Sequence, residues 1–291
     1  MKRLPKISIV TPSRNSVTFI EDCIRSVLDQ DYPNFEHIVV DGDSTDGTVA
    51  LFAKYPHLRW ISEPDEGQSD ALNKGFRIAT GDYVGWLNAD EYYLPGAFQA
   101  LKQHAHRHSA DVIFGDCVFV GADGKLLRLK PEPSLDKNMF LFYGCYVPTV
   151  ALFINKRVIK EGLLLDVGYN YVMDFEYLAR LVITGKTFSR LDRVLGAFRW
   201  HQDNKSHDSD QRRKERLRVQ KRFTPIQSDH ALDLFARLYQ AKHVVKKLLL
   251  GHYYKQLRTR SYRGMETRWF HGPKDASLSF DEYLRKVGYS N

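Results

Sequence analysis

What most constrains the fold of this 291-residue chain is the recurrence of one local plan: a short apolar run, a loop rich in Asp, Asn, Gly and Ser, then a helical pattern. Ile7 to Val10 runs into Thr11-Pro12-Ser13-Arg14-Asn15, a turn composition, before Phe19, Ile20, Cys23, Ile24, Val27 and Leu28 recur at helical spacing. Glu36 to Val40 reads as a buried strand ending on Asp41-Gly42-Asp43-Ser44-Thr45-Asp46-Gly47, and Thr48 to Lys54 resumes a helix. Leu58 to Ser62 leads through Glu63-Pro64-Asp65-Glu66-Gly67-Gln68 to a helix with Leu72, Phe76 and Ile78 on its apolar side. Tyr83 to Leu87 then stops at Asn88-Ala89-Asp90-Glu91. Strands alternating with helices in this way predict an α/β fold with a mostly parallel, doubly wound sheet, which binds ligands at the carboxyl ends of its strands.

Those strand ends carry acids and no phosphate-binding glycine motif. Neither GxGxxG nor GxxxxGK followed by Ser or Thr occurs, so neither a dinucleotide nor a P-loop nucleotide has its usual cradle. A bound diphosphate would need another counter-charge. A divalent cation, Mn²⁺ or Mg²⁺, held by Asp90 with Asn88 and Glu91 nearby, supplies it through hard oxygen ligands.

Composition narrows the setting. The three cysteines, Cys23, Cys117 and Cys145, have no CxxC spacing, which argues against a disulfide framework or a zinc site and for a reducing, cytoplasmic environment. Met1 to Lys6 enters the first strand without the apolar stretch of a signal peptide, and no run reaches the roughly 18 apolar residues of a membrane span. Charge is unevenly placed. Gln211 to Met265 holds 15 Lys and Arg against 3 Asp and Glu, a surplus of 12 in a chain of net charge +8, so the remainder carries −4. Leu234, Leu238, Ala241, Val245 and Leu248 fall on one stripe there, with Arg237, Lys242, Lys246 and Lys247 between them. A catalytic domain at 1–210 with a basic helical appendage at 211–291 is therefore expected.

The segments Ile7 to Asn15, Val39 to Thr48 and Gly81 to Asp90, in this order and spacing, resemble the family-two inverting glycosyltransferases of GT-A fold. The resemblance spans about residues 5 to 207, and the wording of Ser62-Glu63-Pro64 and Trp86-Leu87-Asn88 is most similar to bacterial enzymes building surface glycans or glycolipids. It implies a central sheet flanked by helices and a nucleoside-diphosphate sugar donor. Pro12 and Ser13 would lie beside the nucleoside, and Asp41 would accept from the imide nitrogen of uracil or thymine, which favours UDP or dTDP; a turn role is the alternative for Asp41. Asp43 and Asp46 read as turn and helix-start residues. The segment Glu63 to Gly75 would border the nucleotide, with Asp70 and Lys74 on base or phosphate. Asn88-Ala89-Asp90 would meet metal and diphosphate. Many family members carry Asp at position 88, so the Asn found here adds no charge and leaves the metal to Asp90.

By the same resemblance, Tyr171 to Leu181 contains the general base, Asp174, which would take the acceptor hydroxyl's proton as that hydroxyl attacks the anomeric carbon. Phe198 to Ser206 would bring His201 to complete the metal site and Lys205 to the diphosphate. The acceptor would be a glycan or a lipid-linked precursor. The basic stripe would lie on an anionic membrane surface, making the enzyme peripheral, or pack on the body; nucleic acid is excluded by the lack of any accompanying motif. Two other functions fit the fold. A nucleotidyltransferase is disfavoured because Thr11 to Asn15 is not a basic glycine-rich loop, and a non-catalytic scaffold because Asp90 and Asp174 are both present.

Overall fold

The protein is described here as a computed structural model covering residues 3–202, 204, 209–260, 263–264 and 267. The order of elements is β1 (Ile7–Ser13), α1 (Ile20–Leu28), β2 (Phe35–Asp41), α2 (Thr48–Phe52), β3 (Leu58–Ser62), α3 (Gln68–Ile78), β4 (Tyr83–Trp86), β5 (Tyr92–Tyr93) and α4 (Ala97–Arg107). There follow β6 (Val112–Val120), β7 (Leu126–Lys130), α5 (Lys137–Tyr143), β8 (Leu152–Asn155), α6 (Lys156–Lys160), α7 (Met173–Ile183) and β9 (Phe188–Arg199). The appendage consists of α8 (Ser209–Phe223), α9 (Asp229–Leu249) and α10 (His252–Thr259).

One sheet runs β3-β2-β1-β4-β8-β6-β9-β5, with β7 added to β6. The parallel order expected from the alternating units holds across β3, β2, β1 and β4 and returns between β6 and β9. The antiparallel strands β5, β7 and β8 make the second half mixed. Successive side chains of a strand point to opposite faces, so each central strand feeds two cores. Ile7 and Ile9 of β1 pack with Cys23, Ile24 and Phe98 on one side, whereas Val10 joins Leu72, Phe76 and Phe175 on the other. Helix α3 comes so close to β1 that a Cβ on Gly75 would lie 2.3 Å from a Val10 methyl carbon, a separation only glycine permits.

The change of composition at Gln211 falls inside α8, and α8 packs into the body. Val219 belongs to the same core as Val10 and Phe175. Gln220 donates to the Leu141 and Phe142 carbonyls at 3.0 and 2.8 Å, satisfying the open end of α5. Helix α9 lies against α5 through Phe235 and Tyr239, whose rings stack on Phe142, and through His243, which stacks on Tyr143. The buried Glu132 receives His243 Nε2 at 2.9 Å and Lys247 at 3.4 Å. Burial alone would push its carboxyl up, but these cations and Lys130 hold it below the usual range. The expected stripe of Leu234, Leu238, Ala241, Val245 and Leu248 is exposed along its length. No described helix is long and apolar enough to cross a membrane.

Candidate active site

The ends of β1, β4 and β9 and the start of α7 converge on a cleft of about 710 Å³. Of the expected residues, Pro12, Ser13, Asn88, Ala89, Asp90, Asp174 and His201 line it. Lys205 lies outside the described residues.

Where a metal is expected from the sequence, Asp90 Oδ2 meets His201 Nε2 at 2.9 Å, and Asn204 donates to the same oxygen at 3.3 Å. The Phe19 ring sits against the imidazole, with centroids 4.8 Å apart. Asn88 faces this pair with a defined orientation. Its side-chain oxygen accepts from Trp86 Nε1 at 2.8 Å and Gln68 Nε2 at 2.7 Å, and because an indole nitrogen only donates, the atom facing it must be oxygen. The Asn88 oxygen is thus already engaged, and its amide NH₂ donates to the Glu91 carboxyl. Burial, reinforced by the Asp90 charge, pushes the Glu91 carboxyl far above the usual carboxylate range.

No cluster of three or more His, Cys, Asp or Glu able to hold a metal occurs among the described residues. The donor set still fits a divalent cation of the kind that keeps several non-protein ligands. One carboxylate and one imidazole would be completed by diphosphate oxygens and water, the usual arrangement for Mg²⁺ or Mn²⁺ with a phosphorylated substrate. Ser13 Oγ and Glu91 Oε1, buried at the cleft, find no hydrogen-bond partner among the described residues, as expected where a polar ligand is to be received.

Asp174 stands in the first turn of α7. Burial in the cleft wall pushes its carboxyl up, opposed by the Phe175 amide at 2.8 Å and by the Cys145 thiol. A carboxylate of raised basicity in a ligand-sized cleft suits proton abstraction. Glu176 is buried and bound by Arg180 at 2.9 Å and Arg222 at 3.2 Å, a supporting carboxylate.

Two expected contacts are placed elsewhere. Asp70 and Lys74 do not line the cleft: Gln68 and Ala71 share the inward face of α3, and the i, i+4 pair of Asp70 and Lys74 lies on the opposite one. They bind each other at 3.3 Å, and Lys74 also binds Glu63 at 2.8 Å. Asp41 is buried beneath the cleft wall, accepting from Ser44 N at 2.9 Å, Ser44 Oγ at 2.6 Å and Ser62 Oγ at 2.8 Å. Asp46 caps α2 through the Thr48 amide and hydroxyl, a helix-start role.

Three residues not singled out from sequence complete the site. Asp65 lines the cleft and accepts from the Gly67 amide at 2.9 Å. Arg199, with no exposed surface, donates to the Asp90 carbonyl at 2.9 Å, the Ala122 carbonyl at 2.7 Å and Asp22 at 2.6 Å, so it braces the Asp90 and His201 loops together. Glu215 of α8 accepts from the amides of Asn170, Tyr171 and Val172 at 2.8–3.2 Å, placing an anion at the N-terminus of α7 directly before the base. Its signal is faint: a single acid within the basic run Arg212 to Arg216.

The comparisons with known proteins agree with this arrangement. The chain is 40% identical to the glycosyltransferase TuaG of Bacillus subtilis strain 168 over 126 residues, 41% of this chain and 50% of that one, so the match spans half of the relative's length. The fold is similar to TarS of S. aureus, residues 1–349 in complex with UDP-GlcNAc, with a TM-score of 0.64 and 17% identity over 97% of this chain and 81% of that one. A mannosyltransferase of Pyrobaculum calidifontis, PcManGT, in complex with GDP-Man and Mn²⁺, superposes with a TM-score of 0.58 and 20% identity over 85% of this chain and 76% of that one. These likenesses show a GT-A fold. Residues 8–182, more than half of the chain, match the glycosyl transferase family 2 domain, and the protein belongs to that family.

Proposed function

We propose that the protein moves a hexosyl group from a UDP- or dTDP-linked sugar to a hydroxyl of a surface glycan or lipid-linked precursor, with inversion at the anomeric carbon. The observation that supports this best is one cleft lined by both the Asp90 and His201 pair and the basic carboxylate Asp174, although their segments lie far apart in the chain. Pro12 and Ser13 flank the nucleoside, and Asn88 stands at the donor's ribose and diphosphate. A divalent cation on Asp90 and His201 would supply counter-charge for the departing diphosphate. Asp174 accepts the proton of the acceptor hydroxyl as its oxygen bonds to the anomeric carbon on the face opposite the leaving group, which departs with its electron pair.

The pyrimidine preference rests on Asp41, which has three of about four acceptor positions filled and one left for an imide N–H. UDP-GlcNAc in the TarS structure supports a uridine donor, and Mn²⁺ in the PcManGT structure supports the cation. TuaG carries teichuronic acid biosynthesis in its name, which supports a surface polysaccharide as the product.

Binding and hydrolysis of UDP-, dTDP- and GDP-sugars, with and without Mn²⁺, test this assignment. One pyrimidine donor should bind in the presence of Mn²⁺, and Asp90→Ala should weaken that binding by roughly tenfold or more, the usual cost of losing a charged ligand interaction. Binding of no sugar nucleotide under any metal condition overturns the proposal, and a GDP-sugar as sole ligand removes the role given to Asp41.

A further inference from the structure

Helix α9 is apolar on the side that faces away from the protein. Its inner face, with Leu232, His243 and Lys247 buried, is fully used in packing on α5 and Glu132. Its outer face carries Leu234, Leu238, Ala241, Val245, Leu248 and Leu249, and the leucines and valine among them are between 53% and 83% exposed. At helical spacing these side chains form one stripe, about 21 Å long from Leu234 to Leu248 at about 1.5 Å per residue. Single exposed leucines are ordinary, but a continuous stripe of this length marks an interaction surface.

Cations stand beside it. Arg213 and Arg216 of α8 and Arg237 of α9 line a shallow notch of about 330 Å³. Arg213 and Arg216 share Asp233, at 2.5 and 2.8 Å, so three guanidinium groups there face one carboxylate. The region from Gln211 to Met265 has its surplus of 12 positive charges, while the rest of the chain is net negative. Arg237 of α9, with Arg213 and Arg216 of α8 beside it, makes this face complementary to an anionic surface. A symmetric dimer through the same stripe would instead press two such surpluses together.

We propose that the outer face of α9 docks on an anionic lipid surface, with the stripe at the boundary of headgroups and acyl chains and the arginine notch against lipid phosphates. Docking by this face leaves Glu215 and Gln220 in their contacts with the body. It does not depend on which nucleotide the cleft takes.

Sedimentation of the full chain with vesicles of phosphatidylglycerol and phosphatidylcholine, against vesicles of phosphatidylcholine alone, tests the proposal. Wild type should pellet with the anionic vesicles and be released by high salt. Leu238→Glu combined with Val245→Glu should reduce the bound fraction roughly tenfold or more, and Arg237→Glu should weaken binding to anionic vesicles in particular. Sugar-nucleotide binding, measured in parallel, should be unchanged in all variants, which separates loss of docking from loss of fold or of the active site. Wild type remaining in the supernatant with anionic vesicles overturns the proposal, as does pelleting of the double variant at the wild-type level. A wild-type dimer that the double variant dissociates, without vesicle binding, overturns it in favour of an interface between copies.

Discussion

The two sides of the cleft are built differently. From β1 to the loop after β4, most cleft residues follow the end of a strand or start the helix after it, and successive loops are bonded to one another, as Asn15 is to Ser44 and Thr45. The side that holds the base is assembled from afar: Asp174 depends on Cys145 from the segment before β8 and on Glu215 from α8, 41 residues further along the chain. The nucleotide side is thus built mainly from consecutive strand-loop units, and the base side leans on a helix that follows the whole sheet. Damage to one should be separable from damage to the other, donor affinity reporting on the first and turnover on the second.

The largest effect that can break this contrast is expected from Asp174→Asn. Removing the general base should lower turnover by about 10²- to 10⁴-fold and leave the dissociation constant of the sugar nucleotide nearly unchanged. A comparable loss of donor affinity would mean that Asp174 belongs to the nucleotide side. Burial also raises the pKa of Asp174, so the acid limb of the turnover profile should lie above the ordinary aspartate range in wild type.

A smaller and more diagnostic effect is expected from Glu215→Ala, which leaves three amides at the start of α7 without their acceptor. Helix-cap losses of this kind cost about 1–2 kcal/mol, so the melting temperature should fall by a few degrees. Turnover should drop about tenfold at constant donor affinity, with Glu215→Gln recovering most of it by keeping one acceptor oxygen. Equal turnover in the alanine variant and wild type would show that α8 stabilises the protein without positioning the base.

The smallest effect concerns the nucleotide side. His37 is fully buried beside Thr11, and burial with the neighbouring His57 lowers its pKa to about 3. The unfolded chain takes up that proton near pH 6.5, so between these values it binds more protons than the folded one and stability falls as pH falls. Thermal melts between pH 7 and 5 should show a His37 contribution approaching about 1.4 kcal/mol per pH unit below 6.5, absent in His37→Gln. An unchanged slope in that variant would shift the acid sensitivity to the carboxylates such as Glu36 and Asp111, whose lowered pKa values act in the same direction.

This division of labour also explains what could be read from the chain before folding. Buried parallel strands are nearly continuous apolar runs, and the loops after them are marked by Asp, Gly and Ser, so β1 to β4 and the positions of Asp90 and Asn88 were legible. Asp174 and His201 were legible through the order of matched segments. Glu215 was not, because an acid inside a basic helix looks like a solvated charge until its partners 43–45 residues away are known. Arg199 was hidden likewise, since its three acceptors come from three separate segments. Asp70 and Lys74 were drawn toward the cleft by their segment, but helical geometry turns them outward. In α9 hydropathy identified the apolar stripe but not its direction: the inner face packs through Phe235, Tyr239, His243 and Lys247, and the buried Glu132 makes two of those cationic or polar residues acceptable inside.

The way α8 closes both the end of α5 and the start of α7 sets where this enzyme can be recombined with its relatives. A chimera joined at residue 211 would inherit a base loop from one parent and its cap from another, and the graft would lose turnover before acceptor choice was ever tested. The seam that leaves those bonds within one parent lies between Phe223 and Asp229, where α8 has ended and α9 has not begun.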